Sequence, residues 1–157
     1  ALGELREQID AAADAVREVA HGLSPRILSE QGLGPALEEL TAGLPVETDV
    51  SWEGRTGSGA PSPSDEASED LYLIASEAIT NAMKHSGCSR IEVDVARQDD
   101  VVQLTVRDDG AGGAAPTGRG ILSMAARARR LGGTFELVSP DGGPTTVMVR
   151  IPSGGPR

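Results

Sequence analysis

A carboxylate, a carboxamide and an ammonium recur at helical spacing in the stretch Glu77-Ala-Ile-Thr-Asn81-Ala-Met-Lys84-His85. Steps of four and three residues put Glu77, Asn81 and Lys84 along one face of a helix, where they can meet an anion and its metal. A hard cation such as Mg²⁺ takes one or two protein oxygens and fills the rest of its shell with phosphate and water, a share that Glu77 and Asn81 can supply. The same side chains also suit a solvated helix face, and this helix alone does not choose. Asp108-Asp109-Gly110-Ala111-Gly112 closes an apolar strand with carboxylates able to accept from an exocyclic amine and glycines that admit close backbone approach, although Asp-Asp-Gly is equally a common turn. Gly118-Arg119-Gly120-Ile121 runs into a helix start, where free N–H groups and the dipole favour an anion. Each signal is weak by itself, and their order along the chain carries the weight.

Composition narrows what these residues can serve. A chain of 157 residues holds one buried core and a short extension. The net charge of −10 excludes a phosphate-backbone binder, and with one each of Trp52, Tyr72 and Phe135 there is no platform for stacking bases. Nucleic acid is therefore not an expected partner. The single cysteine, Cys88, precludes an internal disulfide and reads as a small buried residue at a helix-to-strand turn. No apolar run approaches membrane-spanning length, so a soluble, cytoplasmic piece is expected.

The elements that must position the candidate residues follow from periodicity. Leu71, Ile74, Ala75, Ala78, Ile79 and Ala82 form the apolar stripe of one helix through residues 70–87. Upstream, Leu2, Leu5, Ile9, Ala12, Val16, Val19 and Leu23 keep a strict heptad seam. That seam predicts a bundle helix over residues 1–23, ending near Gly22, whose partner helix comes from another copy or from upstream. Residues 24–45 read as a helical connector with starts at Ser24-Pro25 and Pro35, and 46–53 as an edge strand. Residues 54–64, with three Gly, two Pro and three Ser, read as a flexible loop. Residues 90–97 and 101–108 alternate as a hairpin across Gln98-Asp-Asp100. Residues 110–120, with five Gly and one Pro, are expected to be irregular and mobile. A helix then closes at Gly132-Gly133, residues 134–139 and 145–151 form a second hairpin, and 153–157 is a tail.

Glu-Ala-x-Thr-Asn-Ala-x-Lys-His, followed by Asp-x-Gly-x-Gly, Gly-x-Gly-Ile and a Met-x-x-Arg helix ending in Leu-Gly-Gly, resembles the catalytic ATP-binding domain of bacterial two-component sensor histidine kinases. The match is closest to the branch paired with helix-turn-helix response regulators, within the superfamily of gyrase, Hsp90 and mismatch-repair ATPases. It covers about residues 64–152 and extends weakly upstream. The resemblance implies an α+β, two-layer sandwich of the Bergerat type over 46–152, with a mixed, mainly antiparallel sheet under three helices and an N-terminal bundle helix. It implies ATP and Mg²⁺ as cofactors, with Asn81 as the metal ligand and Glu77 polarising a nucleophile. Lys84 and His85 would lie near phosphate oxygens, and Asp108 would accept from the adenine amine. Gly110 and Gly112 would let the chain pass the base, and Gly118, Arg119, Gly120 and Ile121 would anchor the lid over the triphosphate. Implied partners are the phosphoacceptor dimerisation domain of the same protein, a response regulator receiver domain, and a second copy in the full-length protein.

Two departures stand out. No Arg-x-x-x-(Glu/Asp)-(Leu/Ile)-His-Asp acceptor setting occurs, and His21 follows the heptad seam rather than opening it, so this piece is expected to bind ATP without phosphorylating itself. Ser123 stands where the family usually has Gly after Gly120-Ile-Leu, which puts lid closure in question. An anti-sigma-factor serine kinase is the rival within the superfamily, disfavoured by the heptad helix and connector. A non-catalytic interaction module is the rival outside it, disfavoured by Glu77, Asn81 and Asp108.

Overall fold

The computed structural model describes residues 2–22, 26–52 and 65–154, and of 15–22 and 65 the backbone only. In chain order it runs α1 (Leu2–Gly22), α2 (Arg26–Gln31), α3 (Leu33–Thr41), β1 (Glu47–Trp52), α4 (Asp65–Asn81), a π-helical turn (Ala82–Ser86), β2 (Arg90–Gln98), β3 (Val101–Asp108), α5 (Arg119–Arg130), β4 (Thr134–Val138) and β5 (Thr145–Pro152). The loop read over 54–64 and the acceptor question at His21 lie outside the described residues and side chains.

Period-two patterning makes the sheet. Ile91 and Val93 on β2, Val102, Leu104 and Val106 on β3, and Val147, Val149 and Ile151 on β5 are all buried, while the residues between them are half-buried or exposed. Pairing Val93 with Val106 and Leu104 with Val149 lines those side chains up on one face. The five strands stand in the order β1-β2-β3-β5-β4. β1 lies parallel to β2, and every other pair is antiparallel. The apolar face is covered by α3, α4 and α5, giving two layers around one aliphatic core. The α+β sandwich and mixed, mainly antiparallel sheet expected from the sequence are present. The β2–β3 hairpin turns on Asp99-Asp100, with Asp99 at φ 53°, a conformation that Asp tolerates in a two-residue turn.

α4 is the hub of the helical layer. Leu71, Ile74, Ala75 and Ala78 are buried, and so are Tyr72, Ser76 and Thr80 on the other side of the helix. A helix enclosed on nearly all sides needs cover beyond the sheet, and α1 supplies it. Ala13 is fully buried, and Ile9 and Ala12 pack against the core. This corrects the expectation that the heptad helix has no partner within the chain, because the seam shows which residues seek cover and not what provides it. The cover is partial: Leu2 is 86% exposed and Leu5 50% exposed.

Candidate functional site

α4 does not continue as an α-helix through His85. At Ala82 the winding opens into a π turn, closed by Gly87 in the left-handed conformation at φ 63°. A π turn carries an extra residue, so side chains beyond Asn81 leave the line set by Glu77 and Asn81. Lys84 turns toward α1, and its Nζ donates to Asp14 Oδ1 at 3.0 Å. The expectation that Lys84 shares a face with Glu77 and Asn81 is thereby corrected. His85 and Ser86 instead reach the cleft that Asn81 lines.

That cleft has a volume of about 410 Å³ and gathers three separate parts of the chain, within the range of small-molecule sites. Ala78, Asn81, Ala82, His85 and Ser86 come from α4 and the π turn. Asp108 and Thr145 come from paired positions on β3 and β5. Residues 112–115 and 118–121 close the remaining side. Arg119 and His85 are the basic residues lining it. Glu77 is not among the lining residues but lies against the first turn of α5, where a Cβ built on Gly120 would stand 2.2 Å from Glu77 Oε1 and 3.4 Å from Asn81 Nδ2. A carboxylate, a carboxamide and a helix N-terminus thus converge at one end, a donor set that suits a hard cation and an anion together.

At the other end Asp108 is 5% exposed, because it continues the inward parity of Val102, Leu104 and Val106. Burial pushes its carboxyl above the ordinary value. Hydrogen bonds from the Gly110 N–H, at 2.8 Å, and from Ser86 and Thr145 oppose that rise. Asp109, one residue on, points out. It accepts from the Ser89 hydroxyl at 2.6 Å and from the Ser89 and Arg90 N–H groups at 2.8 and 2.9 Å. Those bonds, the Ser89 hydroxyl foremost, hold it down at about 2. Asp109 therefore staples the π-turn exit to β3 and belongs to the framework.

The glycines of the loop also have a steric task, and Gly112 lines the cleft while doing so. Gly110 is not in the cleft lining, and a Cβ there would lie 2.3 Å from Ser86 Cβ. Gly112, at φ 66°, packs on the 140–143 turn, where a Cβ would stand 1.9 Å from Pro140 O. These positions need glycine because backbone passes backbone. The segment read as mobile is anchored at its start by Ala111 N–H to Ser86 O (2.9 Å), Gly113 N–H to Ser139 O (3.1 Å) and Ala114 N–H to Ser139 Oγ (2.9 Å).

Sequence reasoning missed Ser86, Ser139 and Thr145. Ser86 stands directly after the quoted motif, so the π turn is what brings it in. Thr145 reaches Asp108 through the β3–β5 pairing between strands distant in sequence, which no local pattern announces, and Ser139, its hydroxyl 2.7 Å from that of Thr145, follows across the β4–β5 hairpin. Cys88 stands at the helix-to-strand turn as expected but is half-buried rather than buried, and its burial pushes the thiol above the ordinary value.

Residues 66–155 match the family model described as the histidine kinase-, DNA gyrase B- and HSP90-like ATPase. The nitrate/nitrite sensor protein NarX of Escherichia coli K12 is 35% identical over 158 residues, covering 94% of this chain and 25% of the relative. The signal transduction histidine-protein kinase/phosphatase UhpB of Salmonella typhimurium is 30% identical over 159 residues, covering 96% of this chain and 31% of the relative. The chain thus spans about a quarter to a third of the curated relatives it matches. Among solved structures, the histidine kinase domain of the Erythrobacter litoralis EL346 blue-light activated kinase superposes with a TM-score of 0.59 at 18% identity, covering 91% of this chain and 65% of that one. The ATP-binding domain of PrrB from Mycobacterium tuberculosis gives 0.55 at 22% identity, covering 80% and 92%. At those identities the structural likeness speaks to fold.

Proposed function

The chain belongs to the histidine kinase-, DNA gyrase B- and HSP90-like ATPase family, as an ATP-binding domain of the sensor histidine kinase type, and from that premise we propose how its own residues act. The observation that carries the reading is the polarity of the cleft, with a buried acceptor, Asp108, at one end and Glu77, Asn81 and the α5 N-terminus at the other. Adenine fits the Asp108 end, where a desolvated carboxyl accepts from the exocyclic amine. The triphosphate lies toward the first turn of α5, where the N–H groups of residues 119–121 and the helix dipole meet negative charge, with Arg119 and His85 adding donors. Asn81 would hold Mg²⁺ with Glu77 beside it, and the cation would supply neutralisation of phosphate charge. Glu77 orients and polarises the incoming nucleophile. Lys84 reaches phosphate only by leaving Asp14.

Phosphoryl transfer depends mostly on positioning and charge neutralisation, and these residues supply both. The acceptor is a histidine on the dimerisation domain of the parent protein, α1 being the last helix of that bundle, and the phosphoryl group passes on to a response regulator receiver domain. The reaction takes place in the cytoplasm. Among the described residues no helix is long and apolar enough to cross a membrane. Calorimetric titration with ATP, with and without Mg²⁺, tests the reading. ATP should bind more tightly with Mg²⁺, and Asp108→Ala should abolish binding. Absence of ATP binding, or binding untouched by Asp108→Ala, overturns it. Labelled ATP should leave this chain unlabelled and should label a supplied helical-hairpin domain bearing the histidine.

A further inference from the structure

Asp70 is the most buried carboxylate among the described residues, its side chain 2% exposed. It lies on the second turn of α4, remote from the cleft lining, and both of its oxygens are taken by the last turn of α5. Arg130 grips it with two donors, Nε to Oδ2 at 3.1 Å and Nη2 to Oδ1, and Arg127 Nη1 donates to Oδ1 at 2.9 Å. A two-pronged guanidinium–carboxylate pair fixes direction as well as distance. A buried carboxylate is costly unless its geometry is met in full, so this contact tolerates little slip between the helices.

The same two helices meet again at the cleft. Glu77 lies seven residues after Asp70 on α4, and Gly120 lies seven residues before Arg127 on α5. Seven residues are two turns, about 10.5 Å, on either helix. The antiparallel pair is therefore joined at two levels in matched register, by the charge clamp at one and by the Gly120–Glu77 approach at the other. Between Asp108 and Arg119 the chain has no helix or strand to hold the start of α5. We infer that Asp70, acting through Arg127 and Arg130, is a positioning residue that sets the first turn of α5 against Glu77 and so governs how the cleft grips the phosphates of a nucleotide.

The inference rests on the nucleotide reading above and makes a separable demand. Loosening the clamp affects the phosphate end while the Asp108 end, built on the sheet, keeps its shape. Asp70→Asn removes the charge and leaves Arg127 and Arg130, 28% and 60% exposed, free to turn to solvent, so the fold is expected to survive. Mg²⁺-ATP and adenosine are titrated into wild type and variant by calorimetry. ATP should bind about tenfold more weakly to the variant while adenosine stays within about twofold. Arg130→Lys, which keeps the charge but loses the fork, should shift the ATP-to-adenosine ratio in the same direction by a smaller factor, and it answers the question if Asp70→Asn fails to fold. Adding Arg127→Ala to Asp70→Asn should not lower the ratio further. A parallel fall in both ligands, as a merely structural role gives, or an unchanged ratio overturns the inference alone. A wild-type chain that binds neither ligand overturns the nucleotide reading and this inference with it.

Discussion

Gly120→Ala separates stability from chemistry at a single atom. Gly120 is the second residue of α5, where alanine is a better helix former than glycine by up to about 1 kcal/mol. The new Cβ would stand 2.2 Å from Glu77 Oε1 and 3.1 Å from Glu77 Cδ. Ordinary contact needs about 3.5 Å, so the carboxylate must retreat by roughly 1 Å. Glu77 meets the intruder with the end of a flexible side chain, and moving it off its rotamer costs about 0.5–1.5 kcal/mol. The helix gain and the rotamer cost nearly cancel, so urea unfolding followed by circular dichroism should change by less than about 1 kcal/mol. Phosphoryl transfer should not escape so lightly, because a displacement of about 1 Å at a polarising group costs about 100-fold in rate. The assay is transfer from labelled ATP to a supplied histidine-bearing hairpin domain, alongside ATP affinity, which should change only a few-fold. Transfer at the wild-type rate would refute the role of Glu77 at this contact, and a stability loss above about 2 kcal/mol would refute the steric reasoning.

Three further outcomes are expected. Gly112→Ala combines a left-handed φ of 66° with a Cβ 1.9 Å from Pro140 O, which is backbone and cannot yield, so it should cost at least about 2 kcal/mol in urea melts. Asp109, held at about 2 against 3.8 for the free residue, stabilises the native state above pH 3.8 and loses that contribution as pH falls toward 2. The gap in unfolding midpoint between wild type and Asp109→Asn should therefore be full at pH 5 and close by pH 2. Asp108, raised by burial, binds a proton more readily folded than unfolded, so its charge opposes folding once pH exceeds its native value. Asp108→Asn should match or exceed wild-type stability in melts at pH 7 while losing ATP binding, a trade common to functional sites.

The two aspartates at the end of β3 show how far sequence carries a site. Family likeness singles out Asp108 over Asp109, and the structure supplies the physical reason: parity with Val102, Leu104 and Val106 puts Asp108 inside. Lys84 shows the opposite case. Its spacing from Asn81 is sound for an α-helix, and only the π winding after Asn81 and the nearness of α1 redirect it to Asp14. Nothing in the local pattern marks a π turn, since its cost is met by packing around it. Arg127 stood in a recognised motif without a task until the pairing with Asp70, distant in sequence, gave it one.

What the sequence determined alone is what depends on neighbours a few residues apart. Helical stripes, strand alternation, glycine punctuation and the order of the motifs lie within that range, and with them the two-layer fold and the ATP-binding family. What tertiary structure decided is what depends on which surfaces meet. It seated the heptad helix on α4, turned Lys84 toward Asp14, set the loop glycines against Ser86 and Pro140, and joined α4 to α5 through a buried carboxylate. The physical reason is that side-chain period is a property of one element, whereas burial, desolvation and steric exclusion belong to pairs of elements that only the folded chain brings together.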